Sequence, residues 1–289
     1  MRRLGIQARK GLGQHFLVDE SILELIISAA ELTPADIVME IGPGLGILTS
    51  SLVKKAGSVV AIELDDKLAG ILNQTLSSFN NFTIVNEDVL KTNPSILFEE
   101  QKSRFPSDKR SSLTYKVVAN LPYYIASPVL RHFLEALVKP QVMVVMMQKE
   151  VAEGIVAKSG RMSLLSVSVQ LYAEPEIVEY VPAHCFYPAP EVDSAILKIT
   201  PYTRPVVDII DTESFFALVR AGFAAPRKQL ANSLAKGLGV PKAEVLSLLE
   251  RVEIEPQRRA ETLTLEEWAS LLHEYTKTEK KYADADGTG

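Results

Sequence analysis

Five short apolar runs punctuate the first half of the chain: Ile37–Ile41, Ser58–Ile62, Phe82–Val85, Tyr115–Ala119 and Val142–Met146. Near-continuous apolar strands separated by helical stretches predict a parallel sheet covered on both faces. One helix is predicted from about Ile47 to Ala56, with Gly57 closing it, and another from Asp65 to Leu76. The stretch from Ser103 to Ser112 reads as a polar surface loop. Glu176–Val181 and Val192–Ile199 follow one another without a helix, which predicts an antiparallel pair at one sheet edge. Pro201-Tyr202-Thr203-Arg204-Pro205 then breaks the pattern, and only helical signals follow. Thr264-Leu265-Glu266-Glu267 is a capping box, and Leu265, Trp268, Leu272 and Tyr275 recur at helical spacing. The predicted fold class is α/β, with a small all-helical C-terminal domain. The expected division is residues 1–203 for the sheet domain with a basic N-terminal arm, 204–278 for the helical domain, and 279–289 for a flexible tail.

A chain of 289 residues suits one large or two unequal domains. Its net charge of −5 argues at first against a nucleic-acid partner. The distribution changes that picture, because phosphate binding needs only a local positive face. Met1 to Val18 contains Arg2, Arg3, Arg9 and Lys10 and no acid. Ser214 to Ala243 contains Arg220, Arg227, Lys228, Lys236 and Lys242, again without an acid. Arg9, Lys10, Arg220, Arg227 and Lys228 are the candidate contacts, although on charge alone ordinary solvated faces would look the same. No apolar run is long enough to span a bilayer, and the N-terminus lacks a signal-peptide core. Cys185 stands alone, so no intrachain disulfide can form. These features fit the cytoplasm. The four histidines are scattered, no spacing suggests zinc, and there is no G-x-S-x-G elbow, so no metal or covalent nucleophile is expected.

Glu40-Ile41-Gly42-Pro43-Gly44-Leu45-Gly46 ends the first central strand and opens a helix. Glycines there let the backbone approach a ligand closely, and ligands of open α/β sheets bind at the carboxyl ends of the strands. A glycine loop alone is a weak signal. The pattern here is G-x-G-x-G with no lysine, which excludes a P-loop. Glu63 ends the second strand, where a carboxylate can accept from both ribose hydroxyls, and Asp88 follows the third, where one can accept from an adenine amine. A loop and two acids at successive strand ends point to an adenosine that carries no phosphate. S-adenosylmethionine fits, because its cationic sulfonium tolerates an acidic pocket.

Asn120-Leu121-Pro122-Tyr123 at the end of the fourth strand is the most informative stretch. An adenine amine is a poor nucleophile because its lone pair is delocalised into the ring. Holding both amine hydrogens aims that lone pair at a methyl group, and this needs two adjacent acceptors. The Asn120 side-chain oxygen is one and the Leu121 carbonyl the other, since Pro122 fixes the turn and offers no donor. Tyr123 supplies a ring face. A base that enters such a pocket must leave its stack, and Phe186 is the candidate second ring, unless it packs inside the sheet edge.

Gly13–Leu17, Glu40–Gly46, Ile62–Asp65, Glu87–Leu90, Asn120–Pro128 and Phe186–Ala195 together closely resemble the ribosomal RNA adenine N6-dimethyltransferases, over nearly the whole chain. The resemblance implies a Rossmann-like S-adenosylmethionine-dependent methyltransferase domain with a small helical RNA-contacting domain. It implies dimethylation of two adjacent adenosines in the 3′-terminal hairpin loop of small-subunit rRNA within 30S assembly intermediates. The implied cofactor contacts are His15, Leu17, Gly42, Gly44, Glu63, Asp88 and Asn120, and the implied adenine site is Asn120, Leu121, Pro122, Tyr123 and Phe186. A monomer with no membrane partner is expected. The chain departs from the family at Gly154, where an arginine is common, and over Lys158 to Ser166, which lacks the usual Tyr-Gly pair. Related enzymes acting on large-subunit rRNA, a DNA adenine methyltransferase, and an assembly factor whose essential act is binding are the competing readings.

Overall fold

A computed structural model describes the backbone of residues 15–286 and the side chains of residues 15–278. In chain order the elements begin with β1 (Phe16–Leu17), α1 (Glu20–Ala29), β2 (Ile37–Ile41), α2 (Ile47–Leu52), β3 (Ser58–Ile62), α3 (Asp66–Thr75) and β4 (Phe82–Val85). They continue with α4 (Pro94–Lys102), β5 (Tyr115–Asn120), α5 (Ala126–Leu134), β6 (Val142–Gln148), α6 (Lys149–Val156), α7 (Leu164–Gln170), β7 (Ala173–Val181), β8 (Phe186–Tyr187) and β9 (Ser194–Pro201). The last four are α8 (Thr212–Phe223), α9 (Leu230–Leu238), α10 (Lys242–Arg251) and α11 (Leu265–Asp286).

Among the described residues the chain divides into two compact units. One runs through Glu153 and resumes over Glu174–Pro201; the other comprises Gly154–Ala173 and the chain from Tyr202 onward. The sequence pattern put 154–173 with the sheet. Its hydrogen bonds lie elsewhere: the amides of Gly160 and Met162 donate to the Glu261 carbonyl at 2.9 and 3.1 Å, and Val206 N donates to the Leu171 carbonyl at 3.0 Å. The α11 backbone is helical through Asp286.

The first unit holds a seven-stranded sheet of order β4-β3-β2-β5-β6-β9-β7. β2 pairs in parallel with β3 and β5, β3 with β4, and β5 with β6, while β9 runs antiparallel to β6. Both faces are covered, so the central strands are buried along their length, as their unbroken apolar runs require. Ile22 and Ile26 of α1 and Leu48 and Leu52 of α2 share one buried cluster with Val38, Val59, Val118, Val144 and Ile196 of the sheet. α2 is shorter than its sequence pattern suggested, because the chain turns at Leu52 toward β3. Gly57 serves a different end from helix closure: a Cβ there would lie 2.2 Å from the Pro34 carbonyl oxygen.

One polar group sits inside this unit. Lys116 of β5 is buried, and its ammonium donates to the carbonyls of Ala30 and Glu31 at 3.1 and 2.8 Å and to Asp36 Oδ2 at 3.1 Å. The three donors therefore meet three acceptors, two of them carbonyls just past the end of α1.

In the second unit the predicted capping box forms. Thr264 N donates to Glu267 Oε2 at 2.8 Å, and Glu267 N to Thr264 Oγ1 at 3.2 Å. Arg258 pairs with the same carboxylate. Trp268, Leu271 and Leu272 are fully buried. α8 and α9 meet at backbone distance, since a Cβ on Gly237 would lie 2.5 Å from Ala221 Cα. Among the described residues no helix is long and apolar enough to cross a membrane.

Replacing Lys116 by alanine would leave Asp36 buried without its counter-charge, which costs about 3–5 kcal/mol. Urea unfolding of Lys116→Ala is expected to show a loss of that size. A loss below about 1 kcal/mol would mean that water reaches Asp36 and that the pair does not hold the sheet.

Candidate active site

The chain leaves β2 toward β3 and β4, then returns through β5 to β6. The carboxyl ends of β2 and β5 therefore flank the point where strand order reverses, the place where open α/β sheets form a ligand crevice. A cavity lies there, lined by the glycine loop, Glu63, Asp88, residues 120–125, His15 to Leu17 and Phe186.

Gly42, Gly44 and Gly46 take φ values of +65°, +58° and +78°, in the left-handed region that strains side-chain-bearing residues. Gly46 is also crowded, since a Cβ would lie 2.4 Å from Leu72 Cδ2 of α3. The loop is fixed from both sides: Gly42 N donates to the Ile62 carbonyl at 2.9 Å, and Gly44 N to Glu63 Oε2 at 3.1 Å.

Glu63 is 7% exposed. Its other oxygen accepts from Asp65 N at 2.9 Å. A carboxylate has about four acceptor sites, so two remain for a ligand's hydroxyls. Burial pushes its pKa above the ordinary carboxylate value. Asp88, which lines the cavity, spends Oδ1 on Leu90 N at 3.0 Å and keeps Oδ2 for another donor.

Asn120 ends β5 beside Met146 of β6, and Leu121 N donates to the Met146 carbonyl at 2.9 Å. The Asn120 Nδ2 donates to the His15 carbonyl at 3.3 Å. That bond uses one of the amide's two N–H donors and fixes the amide with Oδ1 as the free acceptor. Tyr123 follows Pro122, with its hydroxyl 3.0 Å from Ser194 Oγ and its ring stacked on His15 at a centroid separation of 5.8 Å. Burial raises the Tyr123 phenol pKa. His15 Nδ1 lies 2.8 Å from the Pro188 carbonyl.

Phe186 lines the cavity and is also 4% exposed, packed in the core cluster. Both readings of it therefore apply. Leu17 pairs with it across the short antiparallel ladder of β1 and β8. The cavity thus gathers Asn120, Leu121, Pro122, Tyr123 and Phe186 with His15, Leu17, Gly42, Gly44, Glu63 and Asp88. The basic candidates belong elsewhere. Arg220 is exposed in the last turn of α8, and Arg227 and Lys228 are exposed in the turn before α9. Arg9 and Lys10 lie outside the described residues.

Residues 5–277 match the family described as ribosomal RNA adenine dimethylase. The chain belongs to that family. The Ribosomal RNA small subunit methyltransferase A of Dehalococcoides mccartyi is 51% identical over 272 residues, which is 94% of this chain and 90% of that protein. Among solved structures, a dimethyladenosine transferase from Plasmodium falciparum matches with a TM-score of 0.74 at 27% identity, covering 92% of this chain and 98% of that one. The 23S rRNA methyltransferase ErmE matches with a TM-score of 0.66 at 28% identity, covering 90% and 98%. The dimethylase fold is thus the Rossmann-like fold with a helical C-terminal part that the resemblance implied.

Two residues at this cavity escaped the sequence reading of roles. Ser194, buried at the start of β9, fixes the Tyr123 hydroxyl. No local pattern marks it. Glu40 is 1% exposed, lines the cavity, and its Oε2 has no hydrogen-bond partner. A usable signal did exist: an acid standing inside an otherwise unbroken apolar strand. Burial, with the Glu63 carboxylate adding, pushes its pKa up to about 8.

A carboxyl whose folded-state pKa lies above its unfolded value holds its proton longer in the folded protein. The stability it contributes is present below the ordinary value of 4.5 and is lost as pH rises toward about 8. Glu40→Gln carries no such loss. Its stability relative to the parent protein, measured by urea unfolding without ligand, is expected to rise by a few kcal/mol between about pH 5 and about pH 8. A pH-independent difference would mean that the buried carboxyl ionises normally.

Proposed function

We propose that this dimethylase transfers methyl groups from S-adenosylmethionine to the N6 amines of two adjacent adenosines in the 3′-terminal hairpin loop of small-subunit rRNA. It acts in the cytoplasm, as a monomer, on 30S assembly intermediates. The observation that carries this reading is the acceptor pair at the end of β5. Asn120 presents Oδ1 because its Nδ2 is held by the His15 carbonyl, and the Leu121 carbonyl adjoins it beside the rings of Tyr123 and Phe186.

The cavity suits the cofactor. Glu40, Glu63, Glu87 and Asp88 line it, and no lysine or arginine does among the described residues. An acidic lining favours a cation and disfavours phosphate. Glu63 would take the ribose hydroxyls and Asp88 the adenine amine of the cofactor, with the glycine loop against its methionine part. When bound, the cofactor supplies an electrophilic methyl group. The chain positions the nucleophile: Asn120 and Leu121 each accept one hydrogen of the target amine, so its lone pair turns away from the ring. The two rings hold the extruded base, each stacking contact contributing about 1–3 kcal/mol. Positioning is the main catalytic contribution, and no strong base is required, since the nitrogen becomes acidic once methylated.

The likeness to the 23S rRNA methyltransferase favours large-subunit rRNA as a second substrate reading. The higher identity to a small-subunit enzyme over a similar span supports the first.

Incubation with labelled S-adenosylmethionine and 30S particles lacking the modification is expected to give dimethyladenosine at two neighbouring loop positions, identified by mass spectrometry. Label in 50S particles alone would transfer the assignment to large-subunit rRNA. Asn120→Ala is expected to lose at least about 100-fold in transfer rate, on the order of one misplaced reactant, while keeping most cofactor affinity. Weakened cofactor binding with unchanged turnover would remove Asn120 from the acceptor pair. The double replacement of Arg227 and Lys228 by alanine is expected to weaken RNA binding and reduce its salt slope by about 1–2. An unchanged slope would place both outside the RNA interface.

A further inference from the structure

Glu40 is the buried lining acid to which the proposed reaction gives no role. It is 1% exposed on β2, lines the cavity, and has an Oε2 with no hydrogen-bond partner. A permanent charge in that position would be costly, and a permanently neutral carboxyl would leave a buried polar atom unsatisfied for no return. A ligand that arrives with a positive charge resolves both.

From that geometry we infer that Glu40 is a charge-selecting residue, neutral in the empty cavity and ionised when cationic S-adenosylmethionine is bound. The proton leaves to solvent as the cofactor enters. This rests on the reading of the cavity as the cofactor site. The demethylated product, S-adenosylhomocysteine, has the same shape but a neutral thioether in place of the sulfonium. After transfer the cavity holds one positive charge fewer, and Glu40 recovers a proton from solvent. The residue thus sets cofactor against product, which matters where each base takes two methyl groups and the product must be replaced between them.

The surroundings reinforce the effect. Facing Glu40 around the cavity are Glu63 at the end of β3, Glu87 and Asp88 after β4, His15 before β1, and Tyr123 and Tyr124 after β5, with Asp65 next to Glu63. α2, which follows the glycine loop, contributes no titratable group, and its Thr49 hydroxyl beside Glu40 only partly offsets the effect of burial. No fixed cation is present among the lining residues to hold Glu40 ionised in the empty state.

The experiment is calorimetric titration of the full chain with S-adenosylmethionine and with S-adenosylhomocysteine at pH 7, in buffers of different ionisation enthalpy, for the parent protein and Glu40→Gln. With a pKa of about 8, Glu40 would carry about 0.9 proton in the empty cavity at that pH. The proton release in the parent minus that in Glu40→Gln is expected to approach that value for the cofactor and to be clearly smaller for the product. Glu40→Gln is expected to lose on the order of tenfold of the preference for cofactor over product. Equal proton release by parent and variant, or equal differences for the two ligands, overturns the inference. Infrared difference spectra of the parent protein alone give a second test that does not depend on the variant folding. The protonated-carboxyl band is expected to fall on adding cofactor and to persist on adding product; an unchanged band in both overturns the inference. Tight binding without the proton signal would leave the cofactor reading standing, whereas no binding of either ligand would remove both.

Discussion

Lys116 and Asp36 fix the part of the sheet on which the site depends. The lysine lies on β5, opposite Val38 in the parallel register, and the aspartate immediately precedes β2. Their bond, with the two α1-end carbonyls, ties one helix and two strands at the bottom of the sheet. Because side chains alternate along a strand, a slip of one residue would turn the β5 side chains to the opposite face. The anchored register keeps the carboxyl ends of β2 and β5 level, so the glycine loop and Asn120 open on one cavity.

At the top of the sheet the same logic runs in reverse. Strand ends there are short of internal partners, and backbone amides supply them. Glu63 binds Gly44 N and Asp65 N, and Asp88 binds Leu90 N. Each acid shapes its loop with one set of lone pairs and keeps others toward the cavity. The acids are part of the scaffold as well as of the proposed binding surface, so removing one alters loop geometry too.

Much of this was legible in the chain. Apolar runs gave the five parallel strands because both sheet faces are buried. The capping box at Thr264 and Glu267 was legible because its partners are three residues apart. The strand-end positions of Gly42, Glu63, Asp88 and Asn120 followed from the alternation of strand and helix. What local pattern did not carry was long-range pairing. β1 meets β8 through two residue pairs more than half the chain apart, Phe16 with Tyr187 and Leu17 with Phe186. Residues 154–173 sit between two strands in sequence, yet their hydrogen bonds go to residues after 202. The Ser194–Tyr123 bond likewise joins two elements whose adjacency only the sheet order creates.

If Asn120 is the amine acceptor proposed above, its Nδ2 bond to the His15 carbonyl also sets what the pocket turns away. A half-turn of that amide would bring two oxygens face to face, so the acceptor cannot exchange places with the donor. In the proposed reading, Asn120 Oδ1 and the Leu121 carbonyl are two acceptors side by side at the end of β5. A base that brought a keto oxygen to this point, as uracil or guanine does, would set three lone-pair-bearing atoms against one another with no proton among them. On the proposed function, the grip on an amine and the refusal of a carbonyl are one arrangement, and recognition works as much by mismatch as by attraction.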